Sequence, residues 1–495
     1  MLVCLLILLA CGTVKALFKR GMRLRAVRGR GKGCGGVVTV RAPVTTTDEA
    51  QRSADATGLP RALTRASGPL PAILVVLGVV GWLCWRVLVS RHHVLDTWVV
   101  WTFDVLFVIV AVQLVLAGFE GRMIGGGEVY RVAVLVPLYN EDPDVVVQML
   151  SALLNQSSPP AEVHVVDDGS TQGAYLEERD WFIRQAAVAR IYATWQRTAN
   201  EGKRHAQIHG FRKIRDADLF VTVDSDSMLD AEALHEIVQP FSDSRVMSVA
   251  GVILAINNRE NLLARVTDVI FVGQQLIDRS FMSRLGSVMV NSGGLAAYRR
   301  SILADNIDIY THESYLRRHV EFSDDSLLTL FALLRGRTVQ QPSAFAFAWM
   351  PDRWSHHYRQ QERWFRGSFI RGLWRIRFLP VLSWGWWRQV TGWMQVWLVI
   401  SLFVYLVLWR PLVVGDGIPP AALLVPLAIG LAQGSRYIAV WRSDTTDSER
   451  CISLILSPAA TLWSALILRP LRVWGMVTSG KMGWNTRQQV EVTSQ

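Results

Sequence analysis

Hydrophobic and polar positions change rhythm several times along the chain. Residues 70–89 and 98–118 are nearly unbroken apolar runs, each long enough to cross roughly 30 Å of hydrocarbon as a helix. Residues 390–408, 418–432 and 451–468 are further candidates. Between residues 128 and 378 charges are interspersed at the density of a soluble domain. This pattern predicts two membrane passes, a globular domain of about 250 residues and a second membrane block. Within the domain, "RVAVLVPLYN" (131–140) is a continuous apolar run ending in turn residues, the signature of a buried parallel strand. A helical pattern follows over 144–154, and strands are expected over 161–170, 190–195, 218–226 and 246–257, with a helix over 201–215. Alternation at this spacing predicts a doubly wound α/β sheet, whose ligands sit beyond the carboxyl ends of the strands.

Composition sharpens the membrane reading: 51% of the 495 residues are hydrophobic and mean hydropathy is +0.23, more than a soluble core needs. Net charge is +11, but residues 1–69 hold twelve Lys/Arg against three Asp/Glu. The domain itself is nearly balanced, so no nucleic-acid partner is expected. An arginine-rich segment ahead of a membrane helix favours the cytoplasmic side and can touch anionic headgroups of the lipid bilayer. The opening "MLVCLLILLA" is too short to span, and its positive charge follows the apolar run instead of preceding it, unlike a secretory signal. Residues 1–69 are therefore expected to be a disordered extension. All five cysteines (Cys4, Cys11, Cys34, Cys84, Cys451) lie outside the domain and none forms a CxxC pair, so neither a zinc site nor a disulfide framework is indicated, which fits a cytoplasmic domain.

Carboxylates cluster where the predicted strands end. Asp167 and Asp168 of "VHVVDDGS" could accept from a nucleotide base or ribose, or could simply cap a turn. Asp224 and Asp226 of "VDSDS" would share one face of an extended chain and could hold one hard divalent cation. Ser323-Asp324-Asp325 opens a helical pattern and reads equally as a cap or as the seat of a general base. In "RQQERWFRG" (359–367), Gln360, Arg363 and Trp364 fall on one helix face. An arginine fork there suits a diphosphate, whereas an interfacial belt of Trp and Arg is the structural alternative.

The order DDGS, GKR, DSD, SGG-x-x-x-YRRS, a double acid and QxxRW, set between membrane helices, resembles the processive glycosyltransferases of family 2, most closely the hyaluronan synthases and the related chitin-oligosaccharide and cellulose synthases. The resemblance covers residues 70–487. It implies a GT-A (Rossmann-like) domain inserted between transmembrane α-helices, acting on UDP-sugar donors (UDP-GlcNAc and UDP-GlcA) to extend a growing polysaccharide. It implies that Tyr139, Glu141, Asp167, Asp168, Lys203 and Arg204 hold the uridine diphosphate, that Asp224 and Asp226 carry Mg2+ or Mn2+, and that Ser292, Gly293 and Gly294 line the acceptor end. Asp325, beside Asp324, would be the catalytic base, and Gln360, Arg363 and Trp364 would bind diphosphate and acceptor sugar. "GWNTR" (483–487), with Trp484 and Arg487, resembles the family's WGTR tail, expected to close over the nucleotide from the cytoplasm.

That tail requires an even number of passes after the domain, and residues 451–468, containing Pro458, are expected to be the interfacial, re-entrant or split candidate. The layout implied is an extension (1–69), two transmembrane helices (70–118), a cytoplasmic catalytic domain (128–354), interfacial helices (355–388), a C-terminal membrane region (389–480) and a cytoplasmic tail (481–495), in a multi-pass protein of the cell membrane. Two departures matter: Ser323-Asp324-Asp325-Ser326 stands where the family shows GDDR, and Asn485 replaces the Gly of WGTR. Chitin- or cellulose-type synthesis, a non-processive transferase with a lipid acceptor, and a non-catalytic nucleotide-sugar-binding scaffold are the rival readings. Asp104 and Gln113, polar residues within 98–118, are either liners of an export path or packing contacts.

Overall fold

The structure, a computed structural model, describes residues 46–64, 78, 81, 84, 97–171, 173–418 and 421–482. Apart from residues 78, 81 and 84, the expected first membrane pass (70–89) lies outside these residues, as does the tail motif at 483–487. Eight strands form the central sheet: β1 (Val132–Leu138), β2 (Glu162–Asp167), β3 (Tyr192–Arg197), β4 (Leu219–Thr222), β5 (Ser227–Leu229), β6 (Val246–Ala255), β7 (Ala296–Arg299) and β8 (Arg337–Ala348). Their order is β3-β2-β1-β4-β7-β6-β8-β5. β1 to β4 are mutually parallel, as are β6 and β8. All seven residues of β1 are buried, as a strand covered on both faces requires.

The sheet is the expected α/β sheet, mixed at two places. β7 runs antiparallel between β4 and β6, and β5 runs antiparallel along the β8 edge. Both are short strands, and neither carries the long apolar run that marks a central parallel strand. The cleft opens where ladders part: β1 follows β2 as far as the pair Leu138–Asp167 but leaves β4 after Leu135–Thr222.

Helices cover both faces. In chain order they include α1 (Thr97–Gly118), α2 (Pro143–Leu154), α3 (Lys203–Phe211), α4 (Leu262–Gln274), α5 (Asp324–Arg335) and α6 (Trp354–Phe378). They continue with α7 (Trp384–Val414), α8 (Ala421–Tyr437) and α9 (Asp447–Val477). α2 shows how local sequence sets such an element. Asp142 caps it by accepting from Asp144 N, Pro143 takes the first turn where no N–H is needed, and Val146, Met149, Leu150 and Leu153 turn one stripe to the core.

Among the described residues, three helices are long and apolar enough to cross a membrane, α1, α7 and α9. Pro458 does not interrupt α9, so of the interfacial, re-entrant and split readings of 451–468 the split one is corrected. A neighbour with little side chain accommodates the proline: α8 carries Gly430 and Gly434, and a Cβ at these positions would lie 2.6 Å from Pro458 Cα and 2.3 Å from Ser457 Oγ. This small-xxx-small face lets two backbones approach closely. Gln113 of α1 donates to Asp278 at 3.4 Å, a packing contact with the domain.

Residues 46–64 are folded, which corrects the disordered reading of the extension over that stretch. A helix (Thr47–Thr57) precedes a strand (Ala62–Thr64) that pairs antiparallel with Val440–Arg442, between α8 and α9. Arg61 is buried, with Nε donating to Asp230 Oδ2 at 3.1 Å, while Ala62 N donates to the same oxygen at 2.8 Å. Asp230 directly follows β5, so this clasp joins the N-terminal segment to the end of the Asp224–Asp226 turn.

Candidate active site

A cavity of about 310 Å³ lies at the carboxyl ends of β1, β2 and β4, with Tyr139, Asp168, Gly202, Lys203, Asp224 and Glu321 among its walls. Its volume is in the range of small-molecule sites. Asp168 is anchored from the loop ahead of α3: its Oδ1 accepts from Glu201 N at 3.0 Å and its Oδ2 from Gly202 N at 2.8 Å. Burial raises its pKa, against the opposing pull of those two N–H groups. Gly169 next to it has φ +74, and an added Cβ would meet Asn200 N at 2.8 Å, so this turn needs glycine.

Asp167 and Arg204 do not fit the nucleotide-binding role expected of them. Asp167 is fully buried, accepts from Ser170 N at 2.9 Å and lies 3.5 Å from Arg197 Nε, and so caps the turn. Arg204, 2% exposed, donates to Glu313 Oε2 at 2.8 Å and Phe322 O at 2.7 Å, away from the cavity. Glu141 is buried behind the wall, where its Oε1 accepts from Ser225 Oγ at 3.1 Å.

Lys203 opens α3 and joins two acids far apart in sequence. Its Nζ lies 2.7 Å from Asp224 Oδ1 and 3.2 Å from Asp324 Oδ2. Burial alone would lower this ammonium's pKa, but Asp224 and Asp324 more than offset it and hold the lysine charged. Asp324 begins α5 after Ser323, which has φ +63. Burial would raise the Asp324 carboxyl, but Lys203 and Arg204 reverse the sign and lower it. Asp325, half-buried, is pushed up to about 6, first by burial and then by the charge of Asp324. Two adjacent carboxyls with separated proton affinities suit one fixed anion and one proton acceptor near neutral pH.

The Asp224–Asp226 segment is a turn closed by Ser227 N donating to Asp224 O at 3.0 Å. The extended geometry expected to align both carboxylates is therefore corrected: the chain reverses from β4 into β5 here. Ser292 Oγ accepts from Arg279 at 2.6 Å, and Gly293 and Gly294 press on the same turn. On α6, Trp364 is 38% exposed and stacks on Phe271 with centroids 5.7 Å apart. Gln360 and Arg363 are half-buried. None of these three lines the cavity. α6 packs against Ser323, ahead of Asp324 and Asp325, at Gly367, where an added Cβ would lie 2.8 Å from Ser323 Cβ. Trp484 and Arg487 lie outside the described residues.

Residues 130–367 match the family model described as "Glycosyltransferase like family 2". These residues form a family 2 glycosyltransferase domain. The chain is 28% identical to a hyaluronan synthase of Streptococcus pyogenes serotype M3 over 395 residues, 78% of this chain and 90% of that one. It is 33% identical to an N-acetylglucosaminyltransferase of Neorhizobium galegae over 252 residues, 50% of this chain and 57% of that one. A solved mannosyltransferase from Pyrobaculum calidifontis, in complex with GDP-Man and Mn2+, overlaps at TM-score 0.48 with 18% identity, covering 74% of this chain and 98% of that one. The protein is thus a glycosyltransferase with a GT-A fold, and the non-catalytic scaffold reading is set aside.

The glycosyltransferase's acidic turn fits a divalent cation that borrows ligands from its substrate. Among the described residues no three His, Cys, Asp or Glu side chains form a closed metal cage. Asp224 and Asp226 are both half-buried on one turn, and a Cβ on Gly293 would come within 3.0 Å of both Asp224 oxygens. Glycine thus keeps space in front of that carboxylate, which lines the cavity, and a cation held there would have positions left for diphosphate. Glu321 of the cavity wall was not expected from sequence; its signal is the acidic spacing of "EFSDD" (321–325), read only at its last two acids.

Proposed function

We propose that this glycosyltransferase is an inverting, processive polysaccharide synthase of the hyaluronan synthase type, embedded in the cell membrane with its catalytic domain on the cytoplasmic side. The observation that carries the reading is the Asp224–Lys203–Asp324 chain of contacts, at 2.7 and 3.2 Å. It ties the cavity's donor wall to the turn bearing Asp325. The relatives named hyaluronan synthase align well beyond the catalytic domain, which supports a shared membrane arrangement.

In this reading Tyr139, Asp168 and Lys203 bind the uridine diphosphate of UDP-GlcNAc or UDP-GlcA. Asp224 and Asp226 would hold Mg2+ or Mn2+, which when bound offsets negative charge on the diphosphate. Asp325 accepts the proton of the chain-end hydroxyl. As that proton leaves, the hydroxyl oxygen bonds to the anomeric carbon from the face opposite the diphosphate. The glycosidic C–O bond to UDP breaks, UDP carries off the electron pair, and configuration inverts. Ser292, Gly293 and Gly294 flank the acceptor. By the family resemblance, Gln360, Arg363 and Trp364 of α6, which stand outside the cavity, would meet diphosphate and acceptor sugar only as substrate extends towards that helix, and Trp484 and Arg487 are assigned to the nucleotide. Holding both sugars in one cleft lowers the barrier by positioning. The polymer, too polar for lipid, leaves between the membrane helices.

A second reading, a polymer of N-acetylglucosamine alone, is favoured by the relative named N-acetylglucosaminyltransferase. The deciding experiment supplies membranes containing this chain with UDP-GlcNAc and UDP-GlcA, singly and together, with Mg2+ or Mn2+. Polymer that requires both donors is the expected result. Polymer from UDP-GlcNAc alone selects the second reading, and UDP release without polymer overturns processive synthesis.

A further inference from the structure

Outside the cavity, a buried charge cluster links three separate segments of the chain. Glu313 is 7% exposed, Arg204 2% and Arg371 0%. Glu313 Oε1 accepts from Arg371 at 2.6 Å and from Trp374 Nε1 at 2.9 Å, both on α6. Its Oε2 accepts from Arg371 at 3.0 Å and from Arg204 of α3 at 2.8 Å. Both arginines then donate onward to consecutive carbonyls: Arg204 to Phe322 O at 2.7 Å and Arg371 to Ser323 O at 3.3 Å. The next residues are Asp324 and Asp325.

Desolvating one carboxylate and two guanidinium groups is costly, and such a cluster survives only with good geometry and satisfied partners. A well-packed apolar contact would join the same helices as firmly, so stability alone does not account for it. What an apolar contact cannot do is hold two backbone carbonyls. That task exists here, because Ser323 is a non-glycine residue at φ +63, a conformation that costs energy and persists only where its surroundings impose it.

We propose that Glu313 is a positioning residue: by orienting Arg204 and Arg371 it fixes the Phe322–Ser323 carbonyls and so aims the Asp325 carboxylate. This rests on the reading of Asp325 as the base. Glu313 touches neither the cavity nor the reacting atoms. Lys203 and the donor wall have their own ties, to Asp224 and Asp324, so loosening Glu313 spares nucleotide binding. It also links α6 to the catalytic turn, so displacement of that helix on the acceptor side reaches Asp325.

The test uses the full chain in nanodiscs, with Glu313→Gln, which loses the charge, and Glu313→Asp, which keeps it but is one methylene shorter. UDP release is measured per UDP-binding site, counted by titration with UDP. Both variants are expected to keep UDP affinity and donor KM within about twofold while kcat per site falls about 10- to 100-fold, the scale of a misplacement near 1 Å. Unchanged kcat per site with fewer binding sites would show a merely structural role and overturn the inference. Full recovery in Glu313→Asp would reduce the role to charge balance and also overturn it. Should Glu313→Gln fail to fold, Arg371→Lys, a point charge without the two-pronged fork, is expected to show the same loss of kcat. Asp325→Asn is measured in parallel. If it keeps turnover, the base assignment fails and takes this inference with it; if it is inactive while the Glu313 variants turn over normally, only the positioning role fails.

Discussion

On the donor side of the cleft, the polar groups facing the cavity stand beside the ends of regular elements. Tyr139 follows β1, Asp168 follows β2, Asp224 lies two residues beyond β4, and Lys203 opens α3. On the other side, what steadies Asp325 comes from Arg204, Glu313 and Arg371, joined through buried ion pairs and not through the sheet. The first arrangement is positioned chiefly by backbone topology. The second depends on side chains whose removal strands a buried charge. The difference teaches that binding and chemistry in this protein can be perturbed separately.

Four perturbations sharpen that contrast. The largest expected effect tests the clasp between the N-terminal segment and the end of β5. Arg61→Ala leaves Asp230 buried without its cation, which should lower stability by about 3–5 kcal/mol, read by denaturant titration of the detergent-purified protein. An unchanged midpoint would show the clasp to be dispensable. Lys203→Ala removes the cation shared by Asp224 and Asp324. Its kcat/KM is expected to fall about 100- to 1,000-fold, through both donor KM and kcat, because this residue belongs to both sides. Gly367→Ala puts a Cβ 2.8 Å from Ser323 Cβ. Overpacking of this kind costs about 1–3 kcal/mol, and here it should appear as a fall in kcat of roughly 10-fold with donor KM retained.

The smallest effect is a shift along the pH axis. Asp325 must be a carboxylate to accept a proton, so kcat is lost as pH falls through the region of about 6 where it protonates. Asp324→Asn deletes a neighbouring charge that raises Asp325, and the acid limb of the kcat profile of that variant should move to lower pH. An acid limb that stays in place would separate the profile from this pair.

The same contrast explains what could be read in the sequence. β1 and β4 are continuous apolar runs and β2 carries three valines, and short motifs follow β2 and β4 or open α3; Asp168, Lys203 and Asp224 were therefore legible as neighbours of one cleft. β7 and β5 were not legible as antiparallel, because short strands carry little periodicity and their direction depends on partners far away in the chain. The residues 62–64 pair with 440–442, a contact no local pattern announces. Pro458 was read as a break because local propensity cannot see Gly430 and Gly434 across the helix interface. Arg204 and Arg371 each look like surface or ligand-binding arginines until Glu313 is placed between them. Even the adjacent acids Asp167 and Asp168 diverge only in three dimensions, one capping a turn and the other facing the cavity.

The most direct measurement is turnover and UDP binding of Asp325→Asn in one preparation. The account predicts that UDP release falls at least about 100-fold while the UDP titration matches that of the wild type. Wild-type turnover in this variant would contradict it.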